Sequence, residues 1–167
     1  NLMVYKAMEV AQPGDVIVIE ARGFVAVAQW GDMVSMIARG LGLAGMVTDG
    51  SLRDLKGILA EEWPVFSKPY LTPNGDLKDG PGEVNVPVAV GGVPVLPGDI
   101  IVADGGGVVV VPLADAEAVL HKAQAVAADE VHKIRAIREG HLIPAWLNPT
   151  LEQKGCEIIQ GTWKGKR

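Results

Sequence analysis

The chain has 167 residues, of which 49% are hydrophobic and 21% are charged, and its formal net charge is −5. This length is enough for one domain with its own core, and the composition is that of an ordinary globular protein. The acidic balance argues against nucleic acid as a partner, because phosphate binding needs a concentrated basic surface, and the one basic cluster, Lys164, Lys166 and Arg167, is a terminal tail.

Hydropathy and cysteine content bear on membrane association and on cellular location. No apolar run approaches the roughly 20 residues of a membrane-spanning helix, so we expect no membrane partner. Cys156 is the single cysteine, which excludes an internal disulfide and agrees with a cytoplasmic location.

A short motif occurs twice, 84 residues apart, as Pro13-Gly14-Asp15 and as Pro97-Gly98-Asp99. Each copy precedes an apolar run, a reversal containing glycine and a second apolar run, at residues 24–27 and 108–111. Pro followed by Gly suits the central positions of a type II turn. The pattern predicts two related β-hairpins, although β-rich segments also match by chance.

Strand and helix patterns alternate between the two copies. We expect a helix at 32–43, a strand at 44–48, a helix at 52–60 and a strand at 64–66. This order favours parallel strands joined by right-handed crossovers. The apolar positions of the first helix are Met33, Met36, Ile37 and Leu41. Residues 68–81 are predicted to form a loop and residues 84–90 a strand.

The longest predicted helix covers residues 115–139 and ends at Gly140, a residue type common just after a helix. One stripe of this helix is apolar and consists of Leu120, Ala123, Ala127, Val131 and Ile134. Hairpins combined with crossover helices predict a layered α/β domain.

Polar side chains follow two of the predicted strands. Asp32 begins a helix after Trp30-Gly31, and Arg53 and Asp54 lie in the segment that joins the end of the strand at 44–48 to the next helix. If these strands are neighbours, the three side chains converge at their carboxyl ends, where α/β proteins bind ligands. Carboxylate oxygens would suit Mg²⁺ or Mn²⁺. On spacing alone a structural interpretation is favoured, with Asp32 as an N-cap and Arg53 and Asp54 as a surface ion pair.

The run Trp30-Gly31-Asp32, twenty residues and then Arg53-Asp54 resembles the D-x20-R-D signature of the RraA-like family. The similarity extends over most of the chain, including residues 64–66, residues 80–88 and the second Pro-Gly-Asp motif. It implies an α/β fold of the swivelling-domain type, a layered β/β/α sandwich with mixed sheets and a long C-terminal helix. It also implies a single domain over residues 1–167 that lacks the usual N-terminal helix and strand.

The resemblance implies a metal-dependent pyruvate aldolase or oxaloacetate decarboxylase. Such an enzyme cleaves acids like 4-hydroxy-4-methyl-2-oxoglutarate next to their pyruvate unit, or decarboxylates oxaloacetate, through a metal-stabilised enolate. The implied cofactor is Mg²⁺ or Mn²⁺. The implied partners are a pyruvate-type keto acid and further copies of the chain, in a trimer or hexamer with sites between subunits.

Family roles transfer to matching positions of this chain. Asp54 would bind the metal directly, Asp32 would hold a metal-bound water, and Arg53 would bind the keto acid and assist proton transfer. The substrate carboxylate would lie at the start of the first crossover helix, at Gly31 and the amides of Met33 and Val34.

Two positions match the family less closely. Family enzymes use an acidic residue from the C-terminal helix of a neighbouring subunit, for which Glu130 is the first counterpart and Asp129 the second. The aldolase pattern also continues R-D-x2-(E/D), and Gly57 stands at the acidic position. Glu61 and Glu62 follow one turn later as substitutes.

A binding protein is the alternative function. Some relatives inhibit a ribonuclease E or bind its helicase partners, and these lack the Asp after the Arg. The presence of Asp54 favours the enzyme, whereas Gly57 keeps the regulator open.

Overall fold

The computed structural model describes residues 2–75, 80–157, 159 and 161. Their contacts divide the chain into two units, Asn1–Val119 and Leu120–Arg167. The basic tail at residues 164–167 lies outside the described residues, as do residues 76–79 of the predicted loop. Within the described residues, no helix is both long enough and apolar enough to cross a membrane.

The first half of the chain alternates helices with short strands. In order these are α1 (Leu2–Val10), β1 (Val16–Ile19), β2 (Ala28–Trp30), α2 (Asp32–Gly40), β3 (Gly45–Thr48), β4 (Ser51–Leu52), α3 (Leu55–Ala60) and β5 (Val65–Phe66). Strands β1, β3 and β5 form one parallel sheet, and β2 pairs with β4 in a second. The predicted parallel pairing of the strands at 44–48 and 64–66 is therefore confirmed.

The second half begins with antiparallel pairs. Strand β6 (Val88–Val90) pairs with β7 (Val93–Val95), and β8 (Ile100–Asp104) pairs with β9 (Gly107–Val111). The long helix α4 (Ala116–Arg138) and α5 (Leu147–Gln153) follow. The predicted mixed α/β fold is confirmed, with parallel and antiparallel sheets and a long C-terminal helix.

The repeated Pro-Gly-Asp motif forms the same turn twice. Gly14 and Gly98 both have φ of 93°. In each copy the aspartate carboxylate accepts from the amide three residues earlier, with Gln12 N to Asp15 Oδ2 and Leu96 N to Asp99 Oδ2 both at 2.8 Å. The sequence repeat is therefore a repeat of turn structure.

The first predicted hairpin is wrong, whereas the second is confirmed as β8 and β9. Residues 24–27 do not form a strand, and β2 pairs in parallel with β4. The cause lies in the reversal, where the buried carboxylate of Asp49 accepts from Ala21 N at 2.7 Å and Gly23 N at 3.0 Å. These bonds hold the segment after β1 as a loop against the end of β3.

The core of Asn1–Val119 lies between the parallel sheets and the helices around them. Its buried residues are Met8, Ile17, Trp30, Ala38, Leu43, Met46, Leu52, Ile58 and Trp63. The rings of Trp30 and Trp63 stack with centroids 5.9 Å apart, and their indole nitrogens donate to Ser35 Oγ and Leu43 O. Trp30 thus anchors the turn into α2 from the core.

Both predicted apolar helix stripes lie on the exposed surface of this single chain. On α2 the buried residues are Ser35 and Ala38, while Met33 is 70% exposed and Met36 55% exposed. On α4 no residue is buried, and Leu120, Val131 and Ile134 are 49–66% exposed. The apolar face of α2 is therefore not covered by the described residues of its own unit, Asn1–Val119.

Candidate active site

Parallel pairing of β2 with β4 brings the two predicted site segments together. The register places Trp30 opposite Leu52, and Arg53 N donates to Trp30 O at 3.0 Å. Each strand then leads directly into a helix, α2 after Gly31 and α3 after Asp54. The segment that begins at Gly31-Asp32 and the segment Arg53-Asp54 therefore meet at the strand ends, as predicted.

Gly31 lies against the side chains of Arg53 and Asp54. A Cβ atom on Gly31 would lie 3.0 Å from Asp54 Oδ2 and 3.2 Å from both Cγ and Nε of Arg53. On its other side, the Arg53 guanidinium approaches the backbone of Gly75, where a Cβ would lie 2.6 Å from Nη1. Arg53 therefore occupies a slot between two glycines, which limits the positions its guanidinium can take.

Asp54 carries its carboxylate on strained backbone. Its φ of 56° and ψ of 38° lie in the left-handed region, where a residue with a Cβ atom is disfavoured. Asp54 is the N-cap of α3, yet its side chain makes no capping hydrogen bond. Instead Oδ2 lies 3.3 Å from Arg53 Nε, and the two side chains are 46% and 38% exposed. The expected ion pair is present, but it leaves the carboxylate accessible to solvent and ligand.

Asp32 is the first residue of α2 and is not its N-cap, a position that Gly31 occupies. Its Oδ1 accepts from Met33 N at 2.6 Å. Its Oδ2 points to α3, 2.5 Å from where a Cβ atom on Gly57 would lie. An incoming carboxylate would therefore meet the amide of Val34 in the first turn, while the Met33 amide already has an acceptor.

The donor set fits a hydrated divalent ion and does not fit a metal held by protein groups alone. No group of three or more His, Cys, Asp or Glu side chains suitable for a metal occurs within the described residues. Mg²⁺ and Mn²⁺ need few protein ligands, because they commonly keep several waters and bind one or two carboxylates. Such an ion could be held by Asp54, whose carboxylate is accessible to solvent beside Gly31, and by Asp32.

Two of the remaining acidic candidates are already paired. Glu61 pairs with Arg39 at 3.3 Å. Asp129 pairs with Lys133 at 2.6 Å, and this hydrogen-bonded carboxylate raises the pKa of Lys133. Glu130 is exposed on α4 in the unit Leu120–Arg167.

Two contributors to this region were not predicted from sequence. Asp49 is 6% exposed and holds the loop after β1 through two backbone amides. Gly50 follows it at a point where a Cβ would lie 2.5 Å from Gln29 Cγ. The Asp49-Gly50 pair could be recognised in the sequence as the end of a strand. Its hydrogen bonds could not, because the amides that Asp49 accepts from, those of Ala21 and Gly23, lie 26–28 residues away in sequence.

The chain belongs to the RraA-like family, whose Aldolase/RraA model matches residues 1–110. The predicted family is therefore confirmed.

Individual relatives include named aldolases and an inhibitor homologue. A Halalkalibacterium halodurans protein, provisionally named 4-hydroxy-4-methyl-2-oxoglutarate aldolase, is 46% identical over 83% of this chain and 66% of its own length. A Thermus thermophilus 4-hydroxy-4-methyl-2-oxoglutarate aldolase is 34% identical over 67% of this chain and 68% of its own. The structure of Streptomyces coelicolor RraAS2, described as an unusual member of the RNase ES inhibitor RraA protein family, superposes with a TM-score of 0.72. The two sequences are 35% identical, and the superposed region covers 78% of this chain and 66% of the RraAS2 chain. This chain thus spans just under two thirds of the first relative.

Proposed function

We propose that the protein is a divalent-metal-dependent lyase that cleaves a carbon–carbon bond next to a pyruvate unit. The observation that carries this proposal is the convergence of Arg53 and Asp54 on the start of α2, where Gly31 leaves room for both side chains. Family membership and relatives named as 4-hydroxy-4-methyl-2-oxoglutarate aldolases support a lyase.

Substrate binding would begin with the carboxylate of the keto acid. The first turn of α2 offers backbone N–H groups at the positive end of the helix dipole. Val34 would donate to the substrate carboxylate, and Met33 would do so once its amide is released from Asp32 Oδ1. Such binding would bring the keto group of the substrate near Arg53.

Arg53 would stabilise the charge that develops during cleavage. In the retro-aldol direction the hydroxyl loses its proton and the carbon–carbon bond breaks, with its electron pair passing to the pyruvate unit as an enolate. The hydroxyl carbon becomes a carbonyl, and protonation of the enolate gives pyruvate. Because Nε of Arg53 pairs with Asp54, the terminal nitrogens would remain to donate to the negative oxygen.

The ion would be Mg²⁺ or Mn²⁺, bound directly by Asp54 and through water by Asp32. When bound, it supplies Lewis acidity to the keto and carboxylate oxygens of the substrate. Decarboxylation of oxaloacetate leaves the same enolate as the retro-aldol reaction, so one site would serve both substrates.

The active form of the enzyme would be a closed homo-oligomer, either a trimer or a hexamer. The apolar faces of α2 and α4 support this, because large exposed apolar patches mark association surfaces. Met33 on the α2 face adjoins Asp32, so a subunit covering that face would lie next to the site. Glu130 of the partner subunit would then add a carboxylate through water.

The test is pyruvate release from 4-hydroxy-4-methyl-2-oxoglutarate and from oxaloacetate, measured with lactate dehydrogenase and NADH. Above the rate without protein, wild type should release pyruvate from at least one of them, and Arg53→Ala should release it roughly 10²–10³-fold more slowly. Arg22→Ala is the matched control, because Arg22 also forms an exposed ion pair, with Glu20 at 3.6 Å, outside the site. Equal turnover in all three proteins would refute the assignment of Arg53.

A regulator of RNA processing is the second candidate. The likeness to RraAS2 and the glycine at position 57 support it. The outcome that would favour it is inhibition of a ribonuclease E by wild type together with no pyruvate release from either substrate.

A further inference from the structure

Gly57 lies inside α3, where glycine is among the poorest helix formers. Its φ is not in the left-handed region, so the backbone does not require glycine there. A reason for glycine at this position therefore has to come from its surroundings.

Those surroundings are the side chain of Asp32. A Cβ atom on Gly57 would lie 2.5 Å from Asp32 Oδ2, 2.6 Å from its Cβ and 2.9 Å from its Cγ. Rotation of Asp32 could move the carboxylate, but its Cβ is fixed by the backbone at the start of α2. The two helices would have to separate by about 0.8 Å before the two Cβ atoms reached ordinary contact at 3.4 Å.

We infer that Gly57 is a positioning residue that sets the distance between the start of α2 and the turn carrying Arg53 and Asp54. This inference rests on the proposed function. The first turn of α2 holds Asp32 and the substrate-binding amides, whereas α3 begins directly after Asp54. Any side chain at position 57 therefore moves the two halves of the site apart.

The same contact bears on the departure from the aldolase pattern at this position. The carboxylate of Asp32 occupies the space in which a side chain at position 57 would begin. Gly57→Glu, which adds the acidic residue of that pattern, should therefore lower activity in this chain instead of raising it.

Thermal melts of a double-mutant cycle test the contact without metal or substrate. Gly57→Ala should lower Tm by roughly 2–10 °C through overpacking. Gly40→Ala is the matched control, since Gly40 also lies in a helix but has open space around its Cβ position, and it should raise Tm by roughly 1–4 °C. The double variant Asp32→Gly/Gly57→Ala should recover most of the lost Tm, because the opposing Cβ is gone. If Gly57→Ala does not fold, this double variant should restore folding. Additive Tm changes, or a double variant that stays unfolded, would overturn the inference.

Mn²⁺ binding, followed by electron paramagnetic resonance, tests positioning as distinct from packing. Loss of a group that orients metal-bound water typically weakens binding about 10–100-fold, so Gly57→Ala should bind Mn²⁺ at least ~10-fold more weakly than wild type. Gly40→Ala should match wild type. A lowered Tm with unchanged Mn²⁺ affinity would overturn the positioning role. If wild type does not bind Mn²⁺, the proposed metal site is refuted, and the melts alone decide whether Gly57 sets the spacing.

Discussion

Substitutions at Asp54 separate the cost of its backbone conformation from the value of its carboxylate. The left-handed conformation, with φ of 56°, disfavours a residue with a Cβ atom by about 1–2 kcal/mol, least for Asp and Asn and not at all for Gly. The side chain makes no capping bond, and its ion pair with Arg53 is exposed, so its loss costs at most ~1 kcal/mol.

The three informative variants should therefore differ in stability but not in activity. Asp54→Asn should keep nearly the wild-type Tm. Asp54→Gly should be about 0.5–1.5 kcal/mol more stable than Asp54→Ala, because the backbone gain exceeds the greater freedom of glycine in the unfolded chain. That difference is about 1–6 °C in Tm for a chain of this size. All three should lose metal-dependent turnover, since none keeps the carboxylate.

Asn85 supplies the matched control for this comparison. It is exposed and has a φ of 57°, so Asn85→Gly should exceed Asn85→Ala in Tm by a similar amount with wild-type turnover in both. Thermal melts and pyruvate release are measured at one protein concentration. An Ala variant at position 54 as stable as the Gly variant would refute the account of the strain. Wild-type turnover in Asp54→Asn would refute the role of Asp54 as a ligand.

Three further predictions follow from other parts of the chain. Arg53→Ala should lower kcat roughly 10²–10³-fold, and Arg53→Lys should lower it less, while melts shift by no more than ~1 kcal/mol; wild-type kcat in Arg53→Ala would remove Arg53 from the site. Asp49→Ala should lower the free energy of unfolding by about 2–4 kcal/mol in urea titrations, because two backbone amides lose a buried acceptor, and a change below ~1 kcal/mol would contradict this. Val131→Asp should reduce the mass measured by light scattering from a multiple of 17.6 kDa to that of one chain, whereas Gln124→Asp should not. A wild-type protein that is already monomeric would rule out the oligomer.

Local sequence patterns predicted the helices α2 and α3 and the strands β3 and β5 that surround the site. Alternating strands and helices from Asp32 to Phe66 predicted the parallel pairing of β3 with β5. Strand β4, whose pairing with β2 brings Arg53 and Asp54 to the start of α2, was not predicted. The Pro-Gly-Asp turns were predicted equally well, because their hydrogen bonds span only three residues.

The features that could not be predicted from sequence depend on contacts between residues that are distant in the chain. Residues 24–27 have the apolar pattern of a strand, yet the carboxylate of Asp49 holds the preceding reversal as a loop. The apolar stripe containing Met33 and Met36 looked like a core face, because periodicity does not reveal whether a face is covered by its own chain. Gly57 was visible as a departure from a pattern, but its contact with Asp32 depends on the packing of two helices.

The most direct test of the account is a metal titration of chelator-treated wild-type protein, followed by pyruvate release from 4-hydroxy-4-methyl-2-oxoglutarate and oxaloacetate. Asp54→Asn is measured in parallel, because it preserves the backbone conformation and removes only the charge. After subtraction of the rate measured without protein at each metal concentration, the account predicts no release without metal, saturable recovery with Mg²⁺ or Mn²⁺ in wild type, and no recovery in Asp54→Asn. Full turnover by the metal-free wild-type protein would contradict it.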